Sequence, residues 1–274
     1  MTGILNIQFK PAQGKKEVNL KKVDYYFDKS SDKKLDLVVL PEFFSTGIDH
    51  DSFLYAPEDE TGGETIKHIC ELAKKYSTNI VAGTVIEKSN DKLYNTSFII
   101  NRVGEIVNKY RKIHLYNYMG GTEGERITPG TELVSVDLDF GKIGLGICYD
   151  IRYPLHYKEL AKRGVDIIVL PTAWVVPNEV FEDRLYLKNA QDMWIAMNRT
   201  RAFDNLVYIV SCNQWSGNGA KCIGKSLVIS PTTEILSDAG DKQGGFYVDI
   251  DLSVVKLYKN IYNGNTPFTI ELKL

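Results

Sequence analysis

Two segments of the chain share one pattern, and this repetition limits the fold more than any other feature. Residues 35–44 read L-D-L-V-V-L-P-E-F-F, and residues 165–174 read V-D-I-I-V-L-P-T-A-W. Each segment is a short apolar run, typical of a strand covered on both faces, and ends at a proline that cannot continue a central ladder. The match indicates one α/β unit that occurs twice. It predicts a pseudo-symmetric fold with two sheets, whose strand ends open on one cleft.

The length and charge favour one domain and narrow the classes of partner. A chain of 274 residues can build one large domain or two small ones. No change of composition marks a linker, so we expect a single domain over residues 1–274. The net charge of −2 indicates neither a nucleic acid nor an anionic membrane as a partner.

The start of the chain and its cysteines indicate a cellular compartment. Residues 1–9 lack the charged and apolar regions of a signal peptide, and no apolar run approaches the length of a membrane span. We therefore expect a cytoplasmic protein. In that compartment the four cysteines are expected to be reduced thiols rather than a disulfide framework; they are Cys70, Cys148, Cys212 and Cys222.

Residues 142–152, K-I-G-L-G-I-C-Y-D-I-R, predict a strand that leads directly into a cysteine. Its alternate positions are glycines, so another layer of the protein can pack closely against that face. A helical stretch over residues 155–163 follows. A nucleophile on a tight strand-to-helix turn is pushed out at the sheet edge, where the helix N-terminus can lower the thiol pKa and bind an oxyanion. The alternative is a buried Cys148 that packs as a small hydrophobic residue.

Two further polar residues lie at predicted strand ends. Glu42 follows the apolar strand over residues 35–40, and Lys112 lies at the end of a strand over residues 106–113. Taken alone, Glu42 could cap a turn and Lys112 could be a solvated surface charge. The joint occurrence of Glu42, Lys112 and Cys148 at strand ends indicates a catalytic group.

Hydrophobic periodicity predicts the remaining elements. A long helix is expected over residues 182–202, and residues 253–274 form a tail without a counterpart in the repeat. Such a tail often crosses to a neighbouring subunit. The other expected strands cover residues 4–9, 79–87, 93–101, 133–138, 165–170, 207–213, 224–229 and 245–252.

Three motifs, in this order, resemble the nitrilase superfamily of carbon–nitrogen hydrolases. They are L-P-E-F-F at 40–44, Y-R-K-I-H-L at 110–115 and G-I-C-Y-D-I-R-Y-P at 146–154. The resemblance continues through P-T-A-W at 171–174, R-A-F-D-N at 201–205 and G-K-S-L-V-I-S-P at 224–231. It implies an α/β fold, a four-layer α-β-β-α sandwich, that forms a homodimer or a higher homo-oligomer through helices flanking the nucleophile.

The residues after the cysteine are similar to the omega-amidase branch of that superfamily. Y-D-I-R follows Cys148, where nitrilases proper tend to have Trp-Glu. Relatives commonly have Glu after the Tyr-Pro pair, whereas Leu155 follows Pro154 here, so the first turn of the helix is less acidic. Asp150 and Arg152 are expected to pair with other residues and shape the turn.

The resemblance implies a Glu-Lys-Cys triad. A thiol nucleophile splits amide hydrolysis into acylation and deacylation. Cys148 is the expected nucleophile, and Glu42 is the expected general base and acid. Lys112, together with the Tyr149 backbone N–H, is expected to stabilise the oxyanion.

The family also places a second glutamate before the Pro-Gly pair of a long loop. Glu123 matches that spacing, and Glu125 is the alternative. Its expected role is to orient Lys112 and the substrate amino group. The alternative role is that of a surface acid on a loop.

The substrate-binding wall is expected to include Tyr116, Tyr149 and Trp174, although Trp174 could equally be core packing. Two loops, residues 45–57 and 116–128, are expected to select the acyl group. Tyr116, Tyr118 and Arg184 are candidates to bind a substrate carboxylate.

Several rival functions remain from sequence alone. A metal hydrolase needs clustered ligands, but the four histidines show no pair at helical or strand spacing with a carboxylate, so no metal and no cofactor are expected. A Cys–His hydrolase could use His114 or His156 as its base. A non-catalytic binding module is expected to have lost one of the three triad residues, and all three are present. Within the enzyme class, a small amide is favoured over a nitrile or an N-carbamoyl substrate.

Overall fold

Two mixed β-sheets form the centre of the structure, a computed structural model that describes residues 1–48, 57–118, 121–176, 183–216 and 222–263. The first sheet contains β1 (Thr2–Gln8), β2 (Leu37–Val39), β3 (Asn79–Val81), β4 (Val85–Ser89), β5 (Lys92–Ile100), β6 (Ile106–Arg111) and β13 (Gly244–Ile250). The second contains β7 (Ser135–Leu138), β8 (Gly141–Leu145), β9 (Ile167–Thr172), β10 (Tyr208–Asn213), β11 (Leu227–Ile229) and β12 (Ile235–Asp238).

Each sheet is built around three parallel strands. In the first sheet β2 lies between β1 and β3, and in the second β9 lies between β8 and β10. The neighbouring strands in both sheets are antiparallel. The repeated sequence segments therefore form the central strand of each parallel group, as the internal match predicts.

Side-chain alternation along these strands creates four layers. On β2, Leu37 and Val39 face the second sheet, whereas Val38 faces the helices outside. The helices of the first sheet are α1 (Lys16–Lys29) and α2 (Gly63–Tyr76), and those of the second are α3 (Pro154–Lys162) and α4 (Arg184–Asn205). Apolar clusters fill the space between the sheets and beneath each helix pair. The predicted α-β-β-α sandwich is confirmed.

The strand predicted over residues 79–87 is wrong, because it is two strands. Residues 82–84 separate β3 from β4, and Gly83 there has a φ of 47°. A Cβ at Gly83 would lie 2.1 Å from the Pro41 carbonyl oxygen. The close approach of the segment before Glu42 therefore requires glycine and interrupts the ladder.

The tail predicted over residues 253–274 begins with a helix, α5 (Ser253–Asn263). Residues 264–274 lie outside the described residues. The predicted strand over residues 142–148 ends earlier, since β8 ends at Leu145. Within the described ranges, every helix is too short or too polar to cross a lipid bilayer.

Candidate active site

The cysteine at the end of β8 lies on a strained turn. Residues Cys148–Arg152 form a 3-10 turn between β8 and α3, and Cys148 itself has a φ of 44°. A non-glycine residue in this left-handed region is unfavourable, and such residues concentrate at functional sites. The side chain is buried.

The glycines of this segment serve the close packing that the sequence predicts. A Cβ at Gly144 would lie 3.1 Å from Leu160 on α3, and one at Gly146 would lie 3.1 Å from Leu170 on β9. Larger residues would push α3 away from the strand. The bare face therefore fixes the distance between the nucleophile turn and the helix behind it.

Glu42 and Lys112 meet in the space between the sheets. Lys112 Nζ donates to Glu42 Oε1 over 2.8 Å, and each side chain is 2% exposed. Glu42 follows β2, Lys112 follows β6, and both strands belong to the first sheet. Phe43, directly after Glu42, has a φ of 53°, so the chain turns sharply there as it does at Cys148.

The second sheet contributes the cysteine and a backbone donor. The Ala173 N–H, just after β9, donates to Glu42 Oε2 over 2.8 Å. The same N–H hydrogen-bonds the Cys148 sulfur. Glu42 Oε2 and the Cys148 thiol thus share a neighbour, and the three residues predicted as a triad come together from both sheets.

Of the two candidate glutamates, Glu123 rather than Glu125 contacts Lys112. Glu123 Oε2 accepts from Lys112 Nζ and from the Tyr116 backbone N–H, each over 2.8 Å. Glu123 is buried, whereas Glu125 is exposed. Lys112 therefore forms two buried ion pairs, one of them with the glutamate that the family spacing favours.

Asn95 is a site residue that the motifs missed. Its side-chain NH₂ donates to Glu42 Oε1 over 2.8 Å and to Glu123 Oε1 over 2.9 Å. It is completely buried in the middle of β5. Asparagine is depleted in strands, but Thr96 and Ser97 follow Asn95, so its position in L-Y-N-T-S-F gives only a weak sequence signal.

Burial and charge set the protonation states of this cluster. Burial raises the pKa of Glu42, the Lys112 ammonium opposes that rise, and the Glu123 carboxylate adds to it. Burial alone would lower the pKa of Lys112, but the two carboxylates outweigh it and hold the pKa well above its usual range. Lys112 is therefore an ammonium at neutral pH, and the pKa of the Glu42 carboxyl group lies above its ordinary value.

The pKa of the Cys148 thiol differs from the sequence expectation. Burial raises this pKa well above its usual value, the Glu42 carboxylate raises it further, and Lys112 and the Ala173 N–H oppose these effects. The helix that follows could lower this pKa, but burial and the Glu42 carboxylate outweigh any such effect. A thiol whose pKa is raised in this way would need a base to become a nucleophile.

Aromatic side chains line the space beside the thiol. The ring centroids of Tyr116 and Tyr149 are 5.4 Å apart, and those of Tyr149 and Tyr153 are 5.9 Å apart. Burial raises the pKa of the Tyr116 phenol, and the nearby Cys148 sulfur raises it further. The Arg152 guanidinium lies 5.6 Å from the Tyr149 ring and 5.5 Å from the Tyr118 ring.

The other residues predicted for the pocket differ in their positions. Trp174 is half-buried and packs 5.1 Å from Trp194, so its ring belongs partly to the core. Arg184 begins α4 and is exposed. Residues 49–56 and 119–120, in the loops expected to select the acyl group, lie outside the described residues.

Asp150 connects the nucleophile turn to the segment that carries Lys112. Its Oδ2 accepts from the Ile147 N–H over 2.8 Å and from the Tyr110 hydroxyl over 2.7 Å. Its Oδ1 accepts from the His114 backbone N–H over 3.0 Å and ring Nδ1 over 2.7 Å. Asp150 pairs and shapes the turn as expected. Arg152 contacts aromatic rings, and it pairs with no carboxylate among the described residues.

His114, Asp150 and His156 come together, although the sequence shows no such cluster. One potential metal-ligand atom from each residue lies within 4.8 Å of the other two. Each Asp150 oxygen already accepts two hydrogen bonds, and His156 Nε2 contacts the Leu145 carbonyl oxygen at 2.8 Å. The donor set therefore suits a hydrogen-bond network rather than a metal centre. The contacts of His114 Nδ1 and His156 Nε2 run to Asp150 and to the Leu145 carbonyl oxygen rather than to the Cys148 thiol.

Comparison with known proteins decides the family. The sequence profile of the carbon–nitrogen hydrolases matches residues 6–260. This chain belongs to the carbon–nitrogen hydrolase family.

Relatives of this carbon–nitrogen hydrolase include enzymes named for amide cleavage. It is 32% identical over 247 residues to the 2-oxoglutaramate amidase of Bacillus subtilis (strain 168), a match that covers 90% of this chain and 89% of the relative. It is 31% identical over 225 residues to omega-amidase NIT2 of Homo sapiens, with 79% and 76% of the two chains covered. These relatives support the predicted similarity to the omega-amidase branch.

Solved structures confirm the fold of the carbon–nitrogen hydrolase. The crystal structure of Saccharomyces cerevisiae Nit3, a member of branch 10 of the nitrilase superfamily, matches with a TM-score of 0.85 and 26% identity. The match covers 100% of this chain and 97% of Nit3. The recognition of the nitrilase superfamily from three motifs is confirmed.

Proposed function

We propose that this carbon–nitrogen hydrolase is an amidase that cleaves a small linear amide, releasing ammonia and a carboxylic acid through a thioester on Cys148. The observation that carries the proposal is the buried cluster of Glu42, Lys112 and Glu123 beside the Cys148 thiol. Its relatives are named 2-oxoglutaramate amidase and omega-amidase, which supports an amide as substrate.

Acylation begins with the neutral thiol. Glu42 Oε2 removes the Cys148 proton while the sulfur forms a bond to the amide carbon. The carbonyl oxygen gains negative charge, which the Lys112 ammonium and the Tyr149 backbone N–H stabilise. The carbon–nitrogen bond then breaks, and Glu42 returns the proton to the nitrogen, so ammonia leaves and a thioester remains.

Deacylation uses the same groups in reverse roles. Glu42 removes a proton from water, and the water oxygen attacks the thioester carbon. The carbon–sulfur bond breaks, and Glu42 returns the proton to the Cys148 sulfur. A carboxyl group whose pKa is raised suits both steps, because it must accept and donate at neutral pH.

Glu123 serves this cycle through Lys112. Its carboxylate, 2.8 Å from Lys112 Nζ, helps to keep that group an ammonium in a fully buried place. Its hydrogen bond to the Tyr116 N–H ties the loop of residues 116–118 to the centre. We assign Glu123 the role of orienting Lys112 and the substrate amino group.

The substrate class follows from the residues around the opening. Arg152 is exposed next to Tyr149 and Tyr118, and no carboxylate of the described residues lies within ion-pair distance of it. A substrate with a carboxylate distal to its amide would neutralise that guanidinium. We propose a monoamide of a small dicarboxylic acid, consistent with the name of the Bacillus subtilis relative.

An ammonia-release assay tests reaction and substrate together. We expect release from 2-oxoglutaramate and succinamate, weak release from propionamide, and none from succinonitrile or an N-carbamoyl amino acid. Cys148→Ala should abolish release, and mass spectrometry of the wild type with substrate should show the acyl adduct. Release from nitriles but not from linear amides would replace the amidase proposal with a nitrilase.

Arg152→Gln separates the substrate proposal from the reaction. We expect about a 10–100-fold loss in kcat/KM for succinamate, since a charge-assisted hydrogen bond contributes about 1.5–3 kcal/mol. The loss should be under twofold for propionamide. Equal losses of kcat/KM for succinamate and propionamide would mean that Arg152 does not bind the substrate carboxylate. A non-catalytic binding module would release ammonia from none of these amides and would form no acyl adduct on Cys148.

We propose that the protein forms a homodimer or a higher homo-oligomer through α3 and α4. Large apolar side chains are exposed on these helices: Leu155, Leu185, Tyr186, Met193 and Phe203. α5 also exposes Leu257 and Ile261, in keeping with the expected position of the tail at a subunit interface. Light scattering should show the mass of a dimer or a larger species, and Leu155→Glu should weaken this association. The cytoplasmic location and the single domain over residues 1–274 stay predictions.

A further inference from the structure

Four polar side chains form a closed ring in which Asn95 is the uncharged member. The Asn95 NH₂ donates to Oε1 of Glu42 (2.8 Å) and to Oε1 of Glu123 (2.9 Å). Lys112 Nζ completes the ring with bonds of 2.8 Å to Glu42 Oε1 and Glu123 Oε2. The side-chain amide has one possible orientation, since its carbonyl oxygen would otherwise face two carboxylates.

This ring makes the two oxygens of Glu42 unequal. Oε1 accepts from both Asn95 and Lys112, whereas Oε2 accepts from the Ala173 N–H, which also contacts the Cys148 sulfur. A proton on Oε1 would point at an N–H and an ammonium, both of which are donors. A proton on Glu42 is therefore confined to Oε2, on the side of the thiol.

We propose that Asn95 is a positioning residue that makes Glu42 Oε2 the oxygen exchanging protons with Cys148. The inference deepens the proposed amidase function and rests on it. The flexible Lys112 side chain does not by itself fix the orientation of the Glu42 and Glu123 carboxylates. The planar Asn95 amide holds the Oε1 atoms of both at the same time. Because Asn95 is neutral, it adds two hydrogen bonds without changing the net charge of two carboxylates and one ammonium.

The same contact affects how readily Glu42 ionises. The Asn95 hydrogen bond favours the carboxylate and lowers its pKa, against burial and the Glu123 charge, which raise it. Removal of Asn95 should therefore move the acid limb of the pH profile to higher pH. A residue that served only packing would change the amount of folded protein and leave that limb in place.

The test compares Asn95→Ala with Ser97→Ala. Ser97 lies two residues along β5 on the same face, is also fully buried, and its hydroxyl has no partner among the described residues. For Asn95→Ala we expect kcat to fall about 10–100-fold, KM to change less, and the acid limb of kcat/KM to move to higher pH. Ser97→Ala should keep the wild-type kcat and pH profile.

A second readout does not depend on turnover. The pH dependence of Cys148 alkylation by iodoacetamide should move in the same direction in Asn95→Ala and stay in place in Ser97→Ala. If the alanine variant does not fold, the isosteric Asn95→Asp replaces it. Its added carboxyl group should move the acid limb further to higher pH.

An unchanged acid limb and alkylation profile in the Asn95 variant would overturn the inference, as would an equal shift in Ser97→Ala. The proposed function has a separate test. If Cys148→Ala or Glu42→Gln still releases ammonia, the amidase mechanism fails. If both are inactive while Asn95→Ala keeps the wild-type profile, only the role of Asn95 fails.

Discussion

Two clusters of charged side chains lie around the end of strand β6, and their carboxyl groups behave in opposite ways. In the first cluster Lys109 and Arg111, both on β6, form ion pairs with Glu87. Lys109 Nζ and Arg111 Nη2 each lie 2.6 Å from Glu87 Oε1. In the second cluster Lys112, directly after the strand, forms ion pairs with Glu42 and Glu123. The first cluster has two cations for one carboxylate, and the second has two carboxylates for one cation.

The ratio of charges decides the direction of each carboxyl pKa. Burial alone would raise the pKa of Glu87, but hydrogen bonds from Arg111, Lys109 and Thr96 outweigh burial and lower it. Burial raises the pKa of Glu42, and the single ammonium does not reverse that. Lys109 and Arg111 are about 30% exposed, whereas Lys112 is 2% exposed. In the Glu87 cluster, two partly exposed cations keep the single carboxylate ionised, so the ion pairs stabilise the fold. In the Glu42 cluster, two buried carboxylates share one ammonium, so the charged form of Glu42 is less favoured and the group is suited to carry a proton.

The largest expected difference between the clusters concerns lysine. Lys112→Met should reduce kcat/KM about 10³-fold or more, because it removes an oxyanion donor and leaves two carboxylates without a counter-charge. Lys109→Met is the matched control from the adjoining strand, since Arg111 still forms an ion pair with Glu87. It should keep kcat/KM within twofold. Ammonia release from succinamate measures both, and comparable losses would show that the two clusters are not functionally distinct.

The next effect is on stability and concerns Glu87. Glu87→Gln should lower the free energy of unfolding by about 1.5–3 kcal/mol at pH 7, since charged hydrogen bonds are lost. The pKa of Glu87 is lowered in the folded state, so its contribution is present above the unfolded pKa of about 4.3 and is lost as the pH falls through the folded pKa. Urea unfolding at pH 7 and pH 3 measures this. A difference from wild type that grows at pH 3 would contradict it, and activity per folded molecule should be unchanged.

The smallest effect has the opposite sign. Glu42→Gln should stabilise the protein by about 1 kcal/mol at pH 8, or about 2–4 °C in Tm, while activity is lost. The pKa of Glu42 is raised in the folded state, so this group favours folding at low pH and loses that contribution as the pH rises through the folded pKa. The gain should therefore shrink at pH 4. A variant less stable than wild type at pH 8 would show that Glu42 supports the fold.

The sequence predicts most of the architecture because burial leaves a readable pattern. The apolar runs before Pro41 and Pro171 indicate strands covered on both faces, and they are the centres of the two parallel groups. The break at Gly83 was not readable, because V-A-G-T-V looks like a continuous strand. Its cause is the distant Pro41 carbonyl, a tertiary contact with no local signal.

The site shows the same division. Glu42, Lys112 and Cys148 follow strands, where polar side chains at the carboxyl ends of a sheet can be anticipated. Asn95 is in the interior of β5, where alternation of polar and apolar residues looks ordinary. Its role depends on two carboxylates from other segments of the chain. The high thiol pKa of Cys148 depends likewise on its burial and on the nearby Glu42 carboxylate, which the spacing of residues along the chain cannot show.

The left-handed backbone conformation at Cys148 also affects how this sequence is expected to evolve. Glycine adopts a φ of 44° without steric cost, so Cys148→Gly would relieve strain in the turn while removing the nucleophile. Phe43, next to Glu42, also has a left-handed backbone conformation. Phe43 is also held by its buried ring, so glycine there would cost core packing. A duplicated copy freed from selection for catalysis would therefore gain stability by drifting to glycine at the Cys148 codon alone, and cysteine persisting there in a descendant would mark a lineage still under selection to turn over substrate.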